Sequence, residues 1–199
     1  MLHECYHAGR PNISLEKKLL ITLWYLGNQE SIRGIADRFN VTNSSVNKAT
    51  RELCSYIVQN LMGKFIQWPT VSNENLWSTR VGFESGLPLQ GCIGCIDSTH
   101  IPIKAPRQQE NAYVNRKGFH SVVLQGIWNH QRKFTDVLCG CACSTHDATV
   151  MRSSPIYAEI CHNKPIYFPD EIYIIGDQAY PQESFFLLLF FLDIFKIYT

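Results

Sequence analysis

Two aspartates at the ends of apolar, β-branched runs constrain this chain more than anything else in it. Asp97 stands in Gly94-Cys95-Ile96-Asp97-Ser98-Thr99-His100-Ile101-Pro102-Ile103-Lys104, and Asp177 in Ile174-Ile175-Gly176-Asp177-Gln178-Ala179-Tyr180-Pro181. Such runs fit a pleated, half-buried surface. A carboxylate that closes one emerges from a buried strand into a cleft, an unfavourable placement unless a cation or a proton offsets it. Two such strands side by side make an oxygen-lined site suited to a hard metal ion. Taken singly, each acid also reads as a turn residue: Asp97 with Ser98 or Thr99 after it, Asp177 in a Gly-Asp turn.

The hydrophobic pattern changes period along the chain. Residues 14–61 read as three helices. Ser14 caps the first, which carries Leu15, Leu19, Leu20, Leu23 and Leu26 on one side and ends at Gly27-Asn28. Ser31 opens a short helix through Phe39, Asn40 to Asn43 make a turn, and Ser44 caps a longer helix in which Val46, Ala49, Leu53 and Ile57 share a face. This is helix-turn-helix spacing, with small Ala36 where two helices cross and Val41 plugging the space between them. Trp68-Pro69 separates this module from a helix at 72–84. From Gly91 onward the pattern predicts strands at 92–103, 119–129 and 134–143, a helix at 146–160 and a strand at 171–176. A fourth strand parallel to the first, with the helix as crossover, brings Asp97 and Asp177 together. The expected division is a helical module at 1–70, a linker helix at 71–90 and an α/β domain at 91–199.

Net charge is only +1, so no global basic field draws nucleic acid to the chain. Residues 1–70 are mildly basic, with eight Lys/Arg against five Asp/Glu. Met1 to Pro11 lacks the apolar segment of a secretory signal, and the eight cysteines read as free thiols of an intracellular chain. Cys92 and Cys95, and Cys139, Cys141 and Cys143, fall in strand-like runs and read as core rather than zinc ligands. Phe185 to Leu192 is an apolar block without helical or strand period. It is shorter than the roughly 20 residues a transmembrane helix needs, so no membrane association is expected.

The segments I-D-S-T-H-I-P-I-K-A-P, Y-V-N-R-K-G-F-H-S-V-V-L-Q-G, S-T-H-D-A-T-V-M-R-S-S-P and I-G-D-Q-A-Y-P occur in this order. Together they resemble the catalytic domain of PIF/Harbinger-type DDE transposases and Harbinger-transposase-derived nucleases, from about Ile13 to Pro181. The resemblance implies an α/β, RNase H-like mixed sheet with flanking helices, preceded by the all-α helix-turn-helix module. It also implies two divalent ions, Mg²⁺ or Mn²⁺, and cleavage of DNA phosphodiesters. Asp97 would then bridge both ions and Asp177 would ligate one.

Asp147 lies where the family carries a Gly-Ser-x-x-Asp element, and reads either as an auxiliary catalytic acid or as a helix-start Asp favoured by the macrodipole. Asn129 falls where the family often has an Asp. Arg116 and Lys117 match the family's N-R-K-G hairpin and could hold DNA phosphates, or form a plain solvated turn. His100 is one pleat out of phase with Asp97 and reads as a packed strand residue. The family's third acid, a Glu, belongs to a helix lying further past the second Asp than the 22 residues that follow Asp177. The expectation is therefore a domain incomplete at its C-terminus, with an altered tail.

On the helix-turn-helix, Ser44, Ser45, Asn47, Lys48 and Arg51 occupy the start or outer face of the second helix of the motif, where DNA contact would occur. Such units also serve in docking and dimerisation. The family further implies a Myb/SANT-like partner that brings the nuclease to DNA, and a nuclear location. The leading expectation is a metal-dependent DNA endonuclease of transposase descent. The alternative is a domesticated or decayed copy that binds DNA or a partner without cutting.

Overall fold

The computed structural model describes residues 13–70, 75–86, 89–169, 171–181 and 183–188. The chain forms two compact units, Met1–Phe65 and Ile66–Thr199.

The first unit contains α1 (Leu15–Gly27), α2 (Ile32–Phe39), α3 (Asn43–Asn60) and α4 (Met62–Phe65). Ser14 and Ser31 accept backbone amides of Lys17 and Gly34 at the starts of α1 and α2. Asn40, in the left-handed region at φ 48°, ends α2. The cap of α3 is Thr42, not Ser44: Thr42 is extended, and its Oγ1 accepts the amide of Ser45 at 3.2 Å. Ile21, Ile35, Ala36, Val46 and Ala49 form the core, with Val41 packed against it. The leucine side of α1 lies outside that core, since Leu15, Leu19, Leu20, Leu23 and Leu26 are 41–59% exposed. An apolar helix surface does not by itself select which stripe is buried. Here Trp24 selects it, donating from Nε1 to Glu30 at 2.7 Å and lying under the Arg38 guanidinium at 4.4 Å.

The second unit begins with α5 (Asn75–Gly86), β1 (Cys92–Pro102) and a 3-10 turn at Glu110–Tyr113. There follow β2 (Ser121–Trp128), β3 (Phe134–Ala142), α6 (Asp147–Arg152), α7 (Pro155–His162), α8 (Lys164–Tyr167), β4 (Tyr173–Gly176) and β5 (Phe186–Leu188). The sheet order is β3-β2-β1-β4-β5; β1, β2 and β3 are antiparallel neighbours, while β4 is parallel to both β1 and β5. This mixed arrangement is the RNase H-like sheet. The single helix expected at 146–160 is two helices, because Pro155 has no amide to continue α6 and Ser154 caps α7 by accepting the amide of Tyr157.

One core cluster joins Ile93, Ile96, Ile127 and Ile174 of the sheet to Met151, Ile156 and Ile160 of α6 and α7. A second holds Cys92, Cys95 and Ile175 with Phe83 of α5, so both cysteines of the C-x-x-C are packing residues.

Phe185 of the apolar block lies in this core, with Phe186 and Leu188 packed against it, contrary to the expectation of a segment without strand character. Phe186–Leu188 pairs with Ile174–Gly176, and Phe185 is buried with its ring stacked 4.9 Å from Phe168. Burial does alternate, with Phe186 and Leu188 packed against the core and Leu187 39% exposed between them, so the period is hidden only because the outward position is itself apolar. Residues 189–192 of the block lie outside the described residues.

Candidate functional site

Burial along β1 changes at Asp97. Cys92 to Ile96 are buried, Asp97 and Ser98 are half-buried, and Thr99 onward is exposed. β4 behaves alike, with Ile174, Ile175 and Gly176 buried and Asp177 exposed. The parallel ladder pairs Gly94 with Ile174 and Cys95 with Ile175. Two residues further along each chain, Asp97 and Asp177 stand level at the ends of strands that run about 4.8 Å apart in a sheet. Asp97 Oδ1 accepts the amide of Ser98 at 2.7 Å, and Asp177 Oδ1 accepts that of Ala179 at 2.9 Å. The local turn geometry and the juxtaposition of the acids therefore coexist.

Tyr180, the tyrosine of the I-G-D-Q-A-Y-P segment, lies between these elements. It is 3% exposed, its hydroxyl is 2.9 Å from Ser98 Oγ, and its ring stacks on Phe186. Burial first, and then the negative fields of Asp147, Asp97 and Asp177, push its phenol far above the ordinary tyrosine range, against the lowering effect of the Ser98 bond. All three acids singled out in the sequence thus act on one buried hydroxyl. Asp147 is half-buried as the first residue of α6. Among the described residues, no three His, Cys, Asp or Glu side chains are gathered into a group that could hold a metal ion. The carboxylate arrangement is a level pair with a third acid in electrostatic reach of Tyr180.

Arg116 and Lys117 are exposed in a turn built by Asn115. Asn115 is buried; its Oδ1 accepts the amides of Lys117 and Phe119, its Nδ2 donates to Ser121 Oγ, and Gly118 takes φ +80°. Ser121 Oγ is also 3.2 Å from His100 Nδ1, which ties His100 to this turn. The motif N-R-K-G therefore contains its own organiser, a signal available in the sequence as an Asn followed by Gly. Asn129 is a second case: its Oδ1 accepts the amides of Gln131 and Lys133 and shapes the β2–β3 turn.

In the first unit, Ser44, Asn47, Lys48 and Arg51 are exposed on α3. Ser45 is half-buried and tied to Thr42 Oγ1 at 2.9 Å, while Asn47 donates to the Asn43 carbonyl. Lys48 lies 3.8 Å from Glu52, which also pairs with Lys18 at 2.9 Å. No helix among the described residues is long and apolar enough to cross a membrane.

Residues 96–192 match the family described as DDE superfamily endonuclease. The match spans both aspartates and the apolar block. Protein ALP1-like of Arabidopsis thaliana is 29% identical over 187 residues, covering 87% of this chain and 44% of the relative. The Rattus norvegicus protein named "Putative nuclease HARBI1" is 24% identical over 168 residues, covering 84% of this chain and 46% of the relative. The chain thus spans less than half the length of these relatives. A solved Mos1 transposase paired-end complex with left transposon end aligns to 92% of this chain and 58% of that one, at 15% identity and a TM-score of 0.29.

Proposed function

Because this chain belongs to the DDE superfamily endonucleases, in the lineage derived from Harbinger transposases, we propose that it is a metal-dependent nuclease acting on DNA phosphodiesters. The observation that carries the reading is the level pair of Asp97 and Asp177 at neighbouring strand ends. A half-buried and an exposed carboxylate fit Mg²⁺ or Mn²⁺, since these hard ions take one or two protein carboxylates and fill the remaining positions with water and substrate phosphate. Asp97 and Asp177 are the residues that would hold such ions. When bound, two such ions supply an activated water and stabilise the leaving oxygen.

The chain's own residues do the rest. Asp97 and Asp177 hold their carboxylates at the strand ends through the Ser98 and Ala179 amides. Asp147, whose field reaches Tyr180, adds a third negative charge on the α6 side. Arg116 and Lys117, carried on the Asn115 turn, grip DNA phosphates, Arg116 as a planar fork and Lys117 as a point charge. Ser44, Ser45, Asn47, Lys48 and Arg51 on α3 provide a second, weaker DNA contact. A Myb/SANT-like partner would add the affinity that one Lys and one Arg do not, and the site of action would be the nucleus.

A second reading takes the same acids as non-catalytic. On that reading the chain is an impaired, domesticated copy that binds DNA or a partner. Nicking of supercoiled plasmid with Mg²⁺ or Mn²⁺ separates the two. Asp97→Asn and Asp177→Asn should each slow nicking by about a hundredfold or more, since metal-borne charge stabilisation is worth several kcal/mol. Nicking indifferent to both substitutions would refute the site, and DNA binding without any nicking would favour the second reading.

A further inference from the structure

Resting on that reading of Asp97 and Asp177, we propose that Tyr180 is the positioning residue of the site, its hydroxyl bond to Ser98 holding the two strand ends at the spacing a metal requires.

The paired register of β1 and β4 runs to Cys95 and Ile175, two residues before the acids. Beyond it, a side-chain bond links the two elements. Ser98 follows Asp97 directly, and its Oγ meets Tyr180 Oη at 2.9 Å. Tyr180 in turn belongs to the turn that starts at Asp177, donating its amide to the Asp177 carbonyl at 3.3 Å. The bond therefore joins the residue after one acid to the turn that carries the other.

The tyrosine is itself fixed. Its ring is buried between Gly176 and Phe186, at 5.9 Å and 15° from the latter ring. Packed in this way, Tyr180 can act as a fixed support for the two strand ends. Groups that orient metal ligands in this way commonly govern metal affinity as strongly as some ligands do.

The test uses the full chain as wild type, Asp97→Asn, Tyr180→Phe and Ser98→Ala, together with the double variant Tyr180→Phe/Ser98→Ala. Tyr180→Phe keeps the ring and its stacking and removes only the hydroxyl. Two readouts are independent of cleavage: Mn²⁺ titration followed by electron paramagnetic resonance, and amide exchange in metal-free protein at Ser98 and Ala179. The expected result is Mn²⁺ binding weakened about tenfold by either single variant and no further by the double. Exchange at the Ser98 and Ala179 amides should quicken about tenfold, with core amides of β2 unchanged. Unchanged exchange in Tyr180→Phe overturns the clamp. Faster exchange with unaltered Mn²⁺ affinity overturns its role in metal positioning, provided Asp97→Asn does weaken binding. If Asp97→Asn leaves Mn²⁺ binding intact, the metal reading itself fails, while the exchange data still decide whether Tyr180 holds the strand ends. Losses that add in the double variant would also count against a shared bond.

Discussion

Gly176 and Tyr180 approach so closely that a Cβ on residue 176 would stand 2.9 Å from Tyr180 Cδ2, and as near to Ile96 Cγ2. A glycine is therefore required immediately before Asp177 for the tyrosine ring to lie flat against the end of β4. Gly176→Ala should cost about 1–3 kcal/mol of stability by overpacking, read as a lowered unfolding midpoint in denaturant at unchanged slope. An unaltered midpoint would mean that the ring moves aside freely, which is incompatible with a fixed Tyr180.

Asp136 on β3 predicts a pH dependence. Burial first, and then the Glu159 charge, push its carboxyl up to about 6, above the unfolded value near 3.9. The folded state therefore holds the proton more tightly. The stabilising contribution is complete below about pH 4 and is lost as pH rises through 6, where an ionised carboxylate must be kept partly buried. Asp136→Asn should raise stability at pH 8 by about 1–2 kcal/mol, a shift of about two pKa units discounted for solvent screening. The gain should vanish at pH 4. Equal effects at both pH values would remove the titration as its cause.

How much of this is legible in the sequence depends on the distance over which each determinant acts. Asp97 and Asp177 can be read because the apolar run before each is a local signal, and the β-helix-β order fixes their pairing. Helices α1, α2 and α3 of the first unit are equally local, since their caps and turns are short-range chemistry. Tyr180 is not legible: its significance lies in a bond to Ser98, 82 residues away, which only the folded sheet creates. The buried side of α1 escapes for a related reason, because Trp24 is anchored by Glu30 and Arg38 rather than by a periodic stripe. The block at Phe185 hides its period because the outward-facing position of β5 is itself apolar: Leu187 is exposed, while Phe185 is in the core and Phe186 and Leu188 pack against it.

That block carries its own prediction. Phe185 is buried and stacked on Phe168, so Phe185→Ala should cost about 3–5 kcal/mol. Leu187, in the same short strand, is 39% exposed, and Leu187→Lys should change stability by no more than about 0.5 kcal/mol. Chemical denaturation of the two variants measures the contrast. Similar small effects at both positions would mean that the segment does not pack as a strand.

The helical unit yields the last prediction. Arg51 is exposed on α3, whereas Lys48 lies close enough to Glu52 for part of its charge to be offset. If this face grips DNA phosphates, Arg51→Ala should lower affinity more than Lys48→Ala, and similarly for unrelated sequences. Removing one cation from a phosphate should flatten the slope of log affinity against log salt by about 0.9 for duplex DNA. Fluorescence anisotropy at a series of salt concentrations provides both quantities. Glu52→Gln supplies the converse: releasing Lys48 and Lys18 from their shared carboxylate should tighten binding and steepen the slope. Affinity and slope unmoved by all three substitutions would assign α3 to protein docking rather than to DNA.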